Sequence, residues 1–379
     1  MDTAHGAATQ PEGRLGAALW ANRRIGRPSL VVYLTGGLPD AETTTRLIEA
    51  CAVAGADAIE LGIPFSDPIM DGPVIQAASQ AALDAGATPE SVLSAAKPVA
   101  GQLPVGFMTY TNLVGHAGWR RFAAEAAAAG LCAGTIPDLP LEEAGDWLAA
   151  ADANGIEPIL FAAPTSPDAR IVANAQRTRG FLYAVGTMGV TGERDQLAAT
   201  AQDLAARAKR LTDKTVLVGV GVSNAEQARQ AAQVADGVIV GTSVVRRVLE
   251  AASVEAAVEA VSAYVAELRA GLDDLGVAQP AGAGSRLDGC ELCEAAKLTP
   301  WHFEDELCWI ADCEICDVPM VVSRTHGLPT VADETAMVAR LRAIAEERLG
   351  VEGEQWNLDG NRRLIPDHYH VHARRRWSL

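Results

Sequence analysis

Eight short apolar segments alternate with alanine-rich segments of helical spacing over residues 30–268 of this 379-residue chain. The apolar segments are continuous, which indicates strands buried on both faces of a parallel sheet. Eight successive strand-then-helix units predict an α/β protein with a (β/α)8 TIM barrel. An open doubly wound sheet is the alternative, but the turn at residues 35–39, TGGLP, matches a dinucleotide-binding loop poorly. The predicted strands are residues 30–35, 58–61, 105–108, 133–136, 158–161, 181–185, 216–220 and 237–240.

The composition is that of a globular protein, with 49% hydrophobic and 21% charged residues. The net charge of −17 argues against nucleic acid or an anionic membrane as the main partner. This charge does not exclude a small phosphorylated ligand, because helix N-termini bind phosphate without a basic surface. No apolar segment is long enough to span a bilayer, and the N-terminal residues do not resemble a signal peptide. We therefore expect a cytoplasmic protein.

Three carboxylates follow the second predicted strand, where a barrel carries its chemistry. Glu60 ends an apolar strand. A charged side chain there is unfavourable unless it is paired with another group or has a role in the chemistry of a site. Asp67 and Asp71 lie in the proline-rich turn that follows. Turn capping is the alternative interpretation for the two aspartates but not for Glu60, because glutamate is not a turn former. The loop therefore predicts a site that moves protons.

Glycine- and hydroxyl-rich segments follow the sixth, seventh and eighth predicted strands, at residues 186–192, 219–223 and 241–243. In a barrel, the loops after strands 7 and 8 form the usual phosphate site together with a helix N-terminus. The alternative is that these glycines only permit tight strand-to-helix turns. Three such loops in succession favour a phosphate site.

The segment 60–76, ELGIPFSDPIMDGPVIQ, closely resembles the signature of the tryptophan synthase alpha subunit. The resemblance continues at MTYTNLV (108–114), IPDLPLEE (136–143), GVTG (189–192), GVGVS (219–223) and VGTS (240–243). It covers about residues 14–268, which is nearly the whole predicted barrel. Each motif stands at the barrel position that this family leads one to expect.

The resemblance implies a lyase that cleaves indole-3-glycerol phosphate to indole and glyceraldehyde 3-phosphate by retro-aldol chemistry, without a cofactor. It makes Glu60 the general acid–base at C3 and the glycerol hydroxyl, and Asp71 the group that holds the indole N–H. Tyr183 would lie beside the substrate, and the loop 186–195 would close over it. The residues that would bind the phosphate are Gly192, Gly221, Gly241 and Thr242.

The family also implies a separate PLP-dependent beta subunit, in an alpha2beta2-type heterotetramer, that receives the indole. A specialised lyase that releases free indole is an open alternative. A second alternative is a barrel that has little lyase activity of its own and whose function is to activate the beta subunit.

The composition changes after the barrel, which we assign to residues 1–270. Residues 271–286 form a predicted linker, and 287–379 a small α+β domain. Two Cys-x2-Cys pairs, 19 residues apart, predict a four-cysteine zinc site. Disulfides and an iron–sulfur cluster are the alternatives. The predicted ligands are Cys290, Cys293, Cys313 and Cys316.

Three histidines, His368, His370 and His372, alternate near the C-terminus and would share one face of a strand. The order of elements around them resembles the histidine-triad (HIT-like) domains, including those with a zinc knuckle. That resemblance implies that His370 is a nucleophile toward a nucleotide phosphate. The functions left open for this domain are nucleotide hydrolysis or transfer, anion binding, and a structural or docking role. A second metal site is a further alternative for the histidines.

Overall fold

The computed structural model describes residues 13–185, 199–219, 221–275, 290–294, 297–314, 317–326, 329–349, 356–359 and 368–375. Eight parallel strands form a closed barrel in sequential order, which confirms the predicted (β/α)8 architecture. The observed strand ends differ from the predicted ones by at most one residue. The strands are β1 (Ser29–Thr35), β2 (Ala58–Gly62), β3 (Val105–Met108), β4 (Ala133–Thr135), β5 (Glu157–Ala162), β6 (Leu182–Val185), β7 (Val216–Gly219) and β8 (Gly237–Val240).

Twelve helices of the described residues accompany these strands, and local sequence fixes several of their starts. Asp40 caps the first helix after β1 by accepting a hydrogen bond from the Thr43 N–H, and Asn224 and Ser253 cap two later helices in the same way. The helices are α1 (Arg14–Arg24), α2 (Ala41–Val53), α3 (Pro73–Asp84), α4 (Pro89–Ala96), α5 (Thr111–Ala117), α6 (Trp119–Ala128), α7 (Gly145–Ala153), α8 (Asp168–Arg177), α9 (Ala199–Leu211), α10 (Ala225–Ala232), α11 (Thr242–Glu250) and α12 (Val254–Asp273).

Helix α1 closes the amino end of the barrel. Leu15 and Leu19 pack against buried side chains from β1, β2, β4, β5, β7 and β8. The buried Glu157 carboxylate accepts hydrogen bonds from the Leu15 and Gly16 N–H groups, at 2.7 and 2.8 Å. A carboxylate at a helix N-terminus also complements the helix dipole. Helix α1 therefore covers the amino end of the barrel interior, opposite the carboxyl ends of the strands.

A buried ion pair joins α9 to the start of β8 at the same amino end. The Lys209 ammonium lies 2.6 and 2.8 Å from the two Asp236 carboxylate oxygens. Asp236 also accepts a hydrogen bond from the Val216 N–H at 2.8 Å. Burial acts to raise the pKa of Asp236, but Lys209, Arg23 and these hydrogen bonds outweigh it and lower the pKa.

A second, smaller unit follows the barrel. Its antiparallel five-stranded sheet has the order β12-β13-β11-β10-β9, and α14 packs against one face. Helix α12 continues to Asp273, three residues into the predicted linker, and residues 276–289 lie outside the described part of the chain. The elements are α13 (Glu291–Glu294), β9 (Trp301–Glu304), β10 (Cys308–Asp312), β11 (Pro319–Ser323), α14 (Val331–Leu349), β12 (Trp356–Asp359) and β13 (His370–Arg375).

The small unit contacts the barrel at its amino end. Arg24, at the end of α1, pairs with Glu334 of α14 at 2.7 Å and donates to the Pro329 carbonyl at 3.4 Å. Helix α9 contacts β12 nearby. The carboxyl ends of the barrel strands, on the opposite side, stay clear of these contacts. No helix within the described residues is long and apolar enough to cross a membrane.

Candidate functional site

Glu60 lies inside the carboxyl end of the barrel. Its side chain is 5% exposed, and its carboxylate accepts a 2.7 Å hydrogen bond from the Thr135 hydroxyl. Because Thr135 belongs to β4 and Glu60 to β2, this bond crosses the barrel interior past β3. Burial of the carboxylate raises the pKa of Glu60 to about 7, the Thr135 hydrogen bond opposes that rise, and the nearby Asp71 charge adds to it. Glu60 can therefore give or take a proton near neutral pH.

Asp71 follows in the loop between β2 and α3, and Tyr110 holds that loop in place. The Met70 N–H donates a 3.1 Å hydrogen bond to the Tyr110 hydroxyl oxygen, and the Tyr110 ring stacks on Phe65 with centroids 5.3 Å apart. Burial raises the pKa of Asp71 to about 6, and a hydrogen bond with the Tyr110 hydroxyl opposes the rise. The Asp71 carboxylate is close enough to Glu60 that its charge raises the pKa of Glu60.

Two tyrosines border the carboxylates, and each needs a glycine on the adjacent strand. A Cβ at Gly62 would collide with the Tyr33 hydroxyl, and one at Gly219 would lie 2.6 Å from the Tyr183 hydroxyl. The Tyr183 ring stacks on Phe161 with centroids 5.1 Å apart. Burial raises the pKa of both tyrosines, and the Glu60 and Asp71 charges raise it further. Both phenols therefore stay protonated beside the acids.

Three of the four predicted phosphate residues, Gly221, Gly241 and Thr242, lie in the loop after β7 and at the start of α11. Gly241 precedes this helix without a side-chain cap, and the buried Thr242 is its first residue. Gly221 adopts φ of 69°, a conformation suited to glycine, in the loop after β7. The Ser243 hydroxyl donates to the Val222 carbonyl at 3.0 Å, which fastens the loop after β7 to α11. Free backbone N–H groups at a helix N-terminus favour an anion here.

The structure thus brings Glu60, Asp71 and Tyr183 together, with Gly221, Gly241 and Thr242 on the neighbouring loops. Gly192 and the expected closing loop lie outside the described residues. Sequence reasoning did not single out Tyr33, Tyr110 or Thr135. Tyr110 had a signal, since it follows the third strand in a polar segment, whereas Tyr33 and Thr135 lie within buried strands and look like ordinary core residues.

A second cluster lies in the small unit. Cys290, Cys293, His326 and His368 are all buried, and one ligand atom from each lies within 4.8 Å of all the others. Cys313 does not belong to this group. It closes the turn between β10 and β11, where its N–H donates to the Val318 carbonyl at 2.9 Å. Cys316 lies outside the described residues. The structure therefore joins the first cysteine pair to two histidines and not to Cys313.

His370, the predicted nucleophile, is 7% exposed on β13. Its Nδ1 lies 2.9 Å from the His368 carbonyl oxygen, and its ring is edge-on to His372 with centroids 5.5 Å apart. Tyr369, Val371 and Ala373 contribute to the core under α14. The histidines therefore occupy the opposite face of the strand, as the alternation predicts.

Comparison with known proteins covers the barrel. A family model described as tryptophan synthase alpha chain matches residues 20–273. The tryptophan synthase alpha chain of Thermobifida fusca is 45% identical over 251 residues, which is 65% of this chain and 93% of that protein. The tryptophan synthase alpha chain of Acidothermus cellulolyticus is 45% identical over 260 residues, which is 68% of this chain and 96% of that protein.

Solved structures give the same picture. A structure of Mycobacterium tuberculosis tryptophan synthase aligns with a TM-score of 0.63 at 39% identity, covering 69% of this chain and 98% of that chain. The tryptophan synthase alpha chain of Legionella pneumophila aligns with a TM-score of 0.63 at 30% identity, covering 70% of this chain and 98% of that chain.

Proposed function

Because the chain belongs to the tryptophan synthase alpha chain family, we propose that Glu60 and Asp71 divide the acid–base work of its reaction. The chain is a lyase of the alpha type, which cleaves indole-3-glycerol phosphate to indole and glyceraldehyde 3-phosphate in tryptophan biosynthesis. Proton transfers between side chains and the substrate suffice for this reaction, so we assign no cofactor to the barrel.

The reaction needs a proton at C3 of the indole ring before the bond to the glycerol carbon breaks. Protonated Glu60 delivers that proton, and the Asp71 carboxylate stabilises the positive charge that develops at N1–H. The bonding electrons then return to the ring as the 3′-hydroxyl becomes a carbonyl and gives its proton to ionised Glu60. Glu60 is protonated again at the end of the reaction, and one proton has moved from the 3′-oxygen of the substrate to C3 of the ring.

The observation that carries this assignment is the difference between the two acids. Burial raises the pKa of Glu60 to about 7 and that of Asp71 to about 6. Between these values Glu60 is protonated while Asp71 is ionised, which is the pair of states that the first step needs.

The rest of the site fits the remainder of the substrate. We assign the phosphate to the loops at Gly221, Gly241 and Thr242, with Gly192 contributing from the loop after β6. Tyr183 lies near both acids and against Gly219 at the end of β7, and it would contact the indole or the glycerol chain. The stacked Phe161 holds its ring in place.

We further propose that a separate PLP-dependent beta subunit receives the indole at the open end of the barrel. Ile69 and Met70 are 70% and 40% exposed, and they precede Asp71 directly. Large exposed apolar side chains beside a catalytic residue favour a protein contact there. The Arg24–Glu334 ion pair joins the C-terminal unit to the amino end of the barrel, away from Ile69 and Met70.

Indole release by the purified full-length chain tests the assignment. We expect Glu60→Gln and Asp71→Asn to abolish it and Asp67→Asn to retain it. Asp67 is exposed, and within the described part of the chain its carboxylate accepts a hydrogen bond only from the adjacent Ser66 hydroxyl. Wild-type turnover by Glu60→Gln would refute the mechanism. If the wild type released indole only negligibly but raised beta-subunit turnover when bound to a substrate analogue, the non-catalytic alternative would hold.

For the C-terminal region we propose a cytoplasmic zinc-binding domain of HIT-like type over residues 287–379, joined by the linker to the barrel of residues 1–270. Its support is the buried Cys and His cluster beside a strand that carries alternating histidines. Nucleotide hydrolysis or transfer through His370 is the second candidate activity. Nucleotide binding and turnover by the full-length protein test this activity, with His370→Asn as the control. A wild-type chain that neither binds nor turns over nucleotide would rule the activity out.

A further inference from the structure

We infer that Tyr264 is a positioning residue for the phosphate site and that it acts through the Ser243 hydroxyl. Tyr264 belongs to α12, and Ser243 lies in the first turn of α11. Together they fix the separation between the loop after β7 and the N-terminus of α11. This role rests on the proposed function, because it requires that the substrate phosphate binds at these two places.

Two buried hydroxyls and one carbonyl join the three elements, and we call this series the Tyr264–Ser243–Val222 bridge. The Tyr264 hydroxyl lies 2.8 Å from the Ser243 Oγ, which lies 3.0 Å from the Val222 carbonyl oxygen. A carbonyl can only accept, so the single Ser243 proton goes to Val222 and the Tyr264 hydroxyl donates to Ser243. Because both hydroxyls are buried, the two bonds form in a medium where each is stronger than in water.

The bridge ends beside residues that we assign to the phosphate. Val222 directly follows Gly221, and Ser243 directly follows Thr242, the first residue of α11. The N–H groups in the first turn of a helix have no intrahelical acceptor and are available to an anion. A phosphate held by N–H groups of both elements needs each donor about 2.7–3.2 Å from an oxygen. The affinity for phosphate therefore depends on the separation that the bridge sets.

Arg247 holds the Tyr264 ring next to Ser243. Its guanidinium carbon lies 3.6 Å from the centre of the ring, and its Nη1 donates to the Ser243 backbone carbonyl at 2.7 Å. A guanidinium over the face of a tyrosine is a favourable cation–π contact. The position of the ring therefore does not depend on the hydroxyl alone.

Helix α10 holds the loop after β7 by a separate contact. The buried Gln227 side chain accepts hydrogen bonds from the Ser223 N–H at 2.8 Å and from the Ser223 hydroxyl at 3.0 Å. Without the Tyr264 hydroxyl, the loop would stay attached to α10 and gain freedom relative to α11. We therefore expect weaker phosphate binding with the loop still folded.

Tyr264→Phe tests this role in the full-length protein, because it removes the hydroxyl and keeps the ring against Arg247. KM for indole-3-glycerol phosphate should rise about threefold to tenfold, the effect of one hydrogen bond. The Kd for glycerol 3-phosphate, which carries the phosphate without the indole, should rise equally in calorimetry. The value of kcat should stay within about twofold of the wild type, because the acids are unchanged. A purely structural role would lower the thermal midpoint and leave both KM and Kd unchanged.

Two further variants make the test specific. Thr178→Val is the matched control, because it removes a buried hydroxyl that accepts a 3.0 Å hydrogen bond from the Leu160 N–H, ahead of β6. It should lower the thermal midpoint and leave KM and Kd at the wild-type values. Ser243→Ala breaks the bridge at its centre and should raise both constants at least as much as Tyr264→Phe. Since Tyr264 acts through Ser243, adding Tyr264→Phe to Ser243→Ala should have little further effect.

The outcomes separate the positioning role from the proposed function, because calorimetry with glycerol 3-phosphate needs no turnover. A wild-type Kd in folded Tyr264→Phe and Ser243→Ala proteins would overturn the positioning role alone, as would effects of the two substitutions that simply add. A lower kcat at unchanged KM would overturn it as well. A wild-type chain that neither releases indole nor binds glycerol 3-phosphate would overturn the proposed function and this role with it.

Discussion

The hydrogen bond from Thr135 to Glu60 controls the acidity of the proposed catalytic acid, and Thr135→Val removes it with little change of shape. Both residues are buried, and the bond is 2.7 Å long. The hydroxyl stabilises the ionised form of Glu60 against burial and against the Asp71 charge. Without it, the pKa of Glu60 rises above about 7.

The size of the rise follows from the strength of the lost bond. A hydrogen bond to a charged acceptor contributes about 1.5–3 kcal/mol, and the protonated carboxyl keeps part of it as a weaker acceptor. A net loss of about 1.4 kcal/mol from the ionised form corresponds to a pKa rise of about one unit. Since Glu60 acts first as an acid, the alkaline limb of kcat/KM should move from about pH 7 to about pH 8. The acid limb near pH 6 reports Asp71 and should stay in place.

The assay is kcat/KM for indole release between pH 5 and 9. Relative to its own maximum, Thr135→Val should be about fourfold more active than the wild type at pH 8. Thr135→Ser keeps the hydroxyl and should keep the wild-type profile. Thr109→Val is a matched control, because Thr109 is buried at the end of β3 and its hydroxyl has no hydrogen-bond partner among the described residues. An unchanged alkaline limb in a folded Thr135→Val protein would refute the reasoning.

Three further outcomes are expected. Glu60→Gln and Asp71→Asn should each lower kcat for indole release by at least about 10²-fold with little change in KM, because both groups act mainly on the transition state. Asp236→Asn should lower the free energy of unfolding by about 3–5 kcal/mol in urea titrations, since it removes the carboxylate that pairs with the buried Lys209 ammonium. The lowered pKa of Asp236 means that its contribution is present above the unfolded pKa of about 3.9 and is lost as the pH falls below it; constant unfolding energy from pH 5 to pH 3 would contradict this. Removal of zinc by a chelator should speed hydrogen exchange in β11 and β13 while indole release stays constant, because the C-terminal unit contacts the barrel away from Glu60; a parallel loss of indole release would show that the two units are coupled.

Much of the barrel could be predicted because its periodicity is local. Continuous apolar strands, helix caps such as Asp40 and glycine-rich strand ends all appear within short windows of sequence. The tryptophan synthase alpha family and its lyase activity, inferred from the motif at residues 60–76, are confirmed by the comparisons. The roles of Glu60 and Asp71 remain predictions, as does zinc in the C-terminal region.

The C-terminal cluster shows where local spacing is insufficient. Two Cys-x2-Cys pairs suggest a four-cysteine site because such pairs are visible in a short window. His326 and His368 are separated from Cys293 by 33 and 75 residues, and no local pattern connects them. The antiparallel sheet brings them together by pairing β11 with β13, and the turn after β10 places Cys313 elsewhere.

The sequence alone determined the succession of strands and helices along the barrel, the acids on the loop after β2 and the change of composition near residue 271, because these depend on residues that are close in the chain. Tertiary structure decided which hydroxyl meets Glu60, which tyrosine holds the Asp71 loop and which histidines join the first cysteine pair. Each of these contacts joins distant segments, and barrel closure or sheet pairing sets its geometry. Burial, which depends on the whole fold, then raises the pKa of Glu60 above that of Asp71.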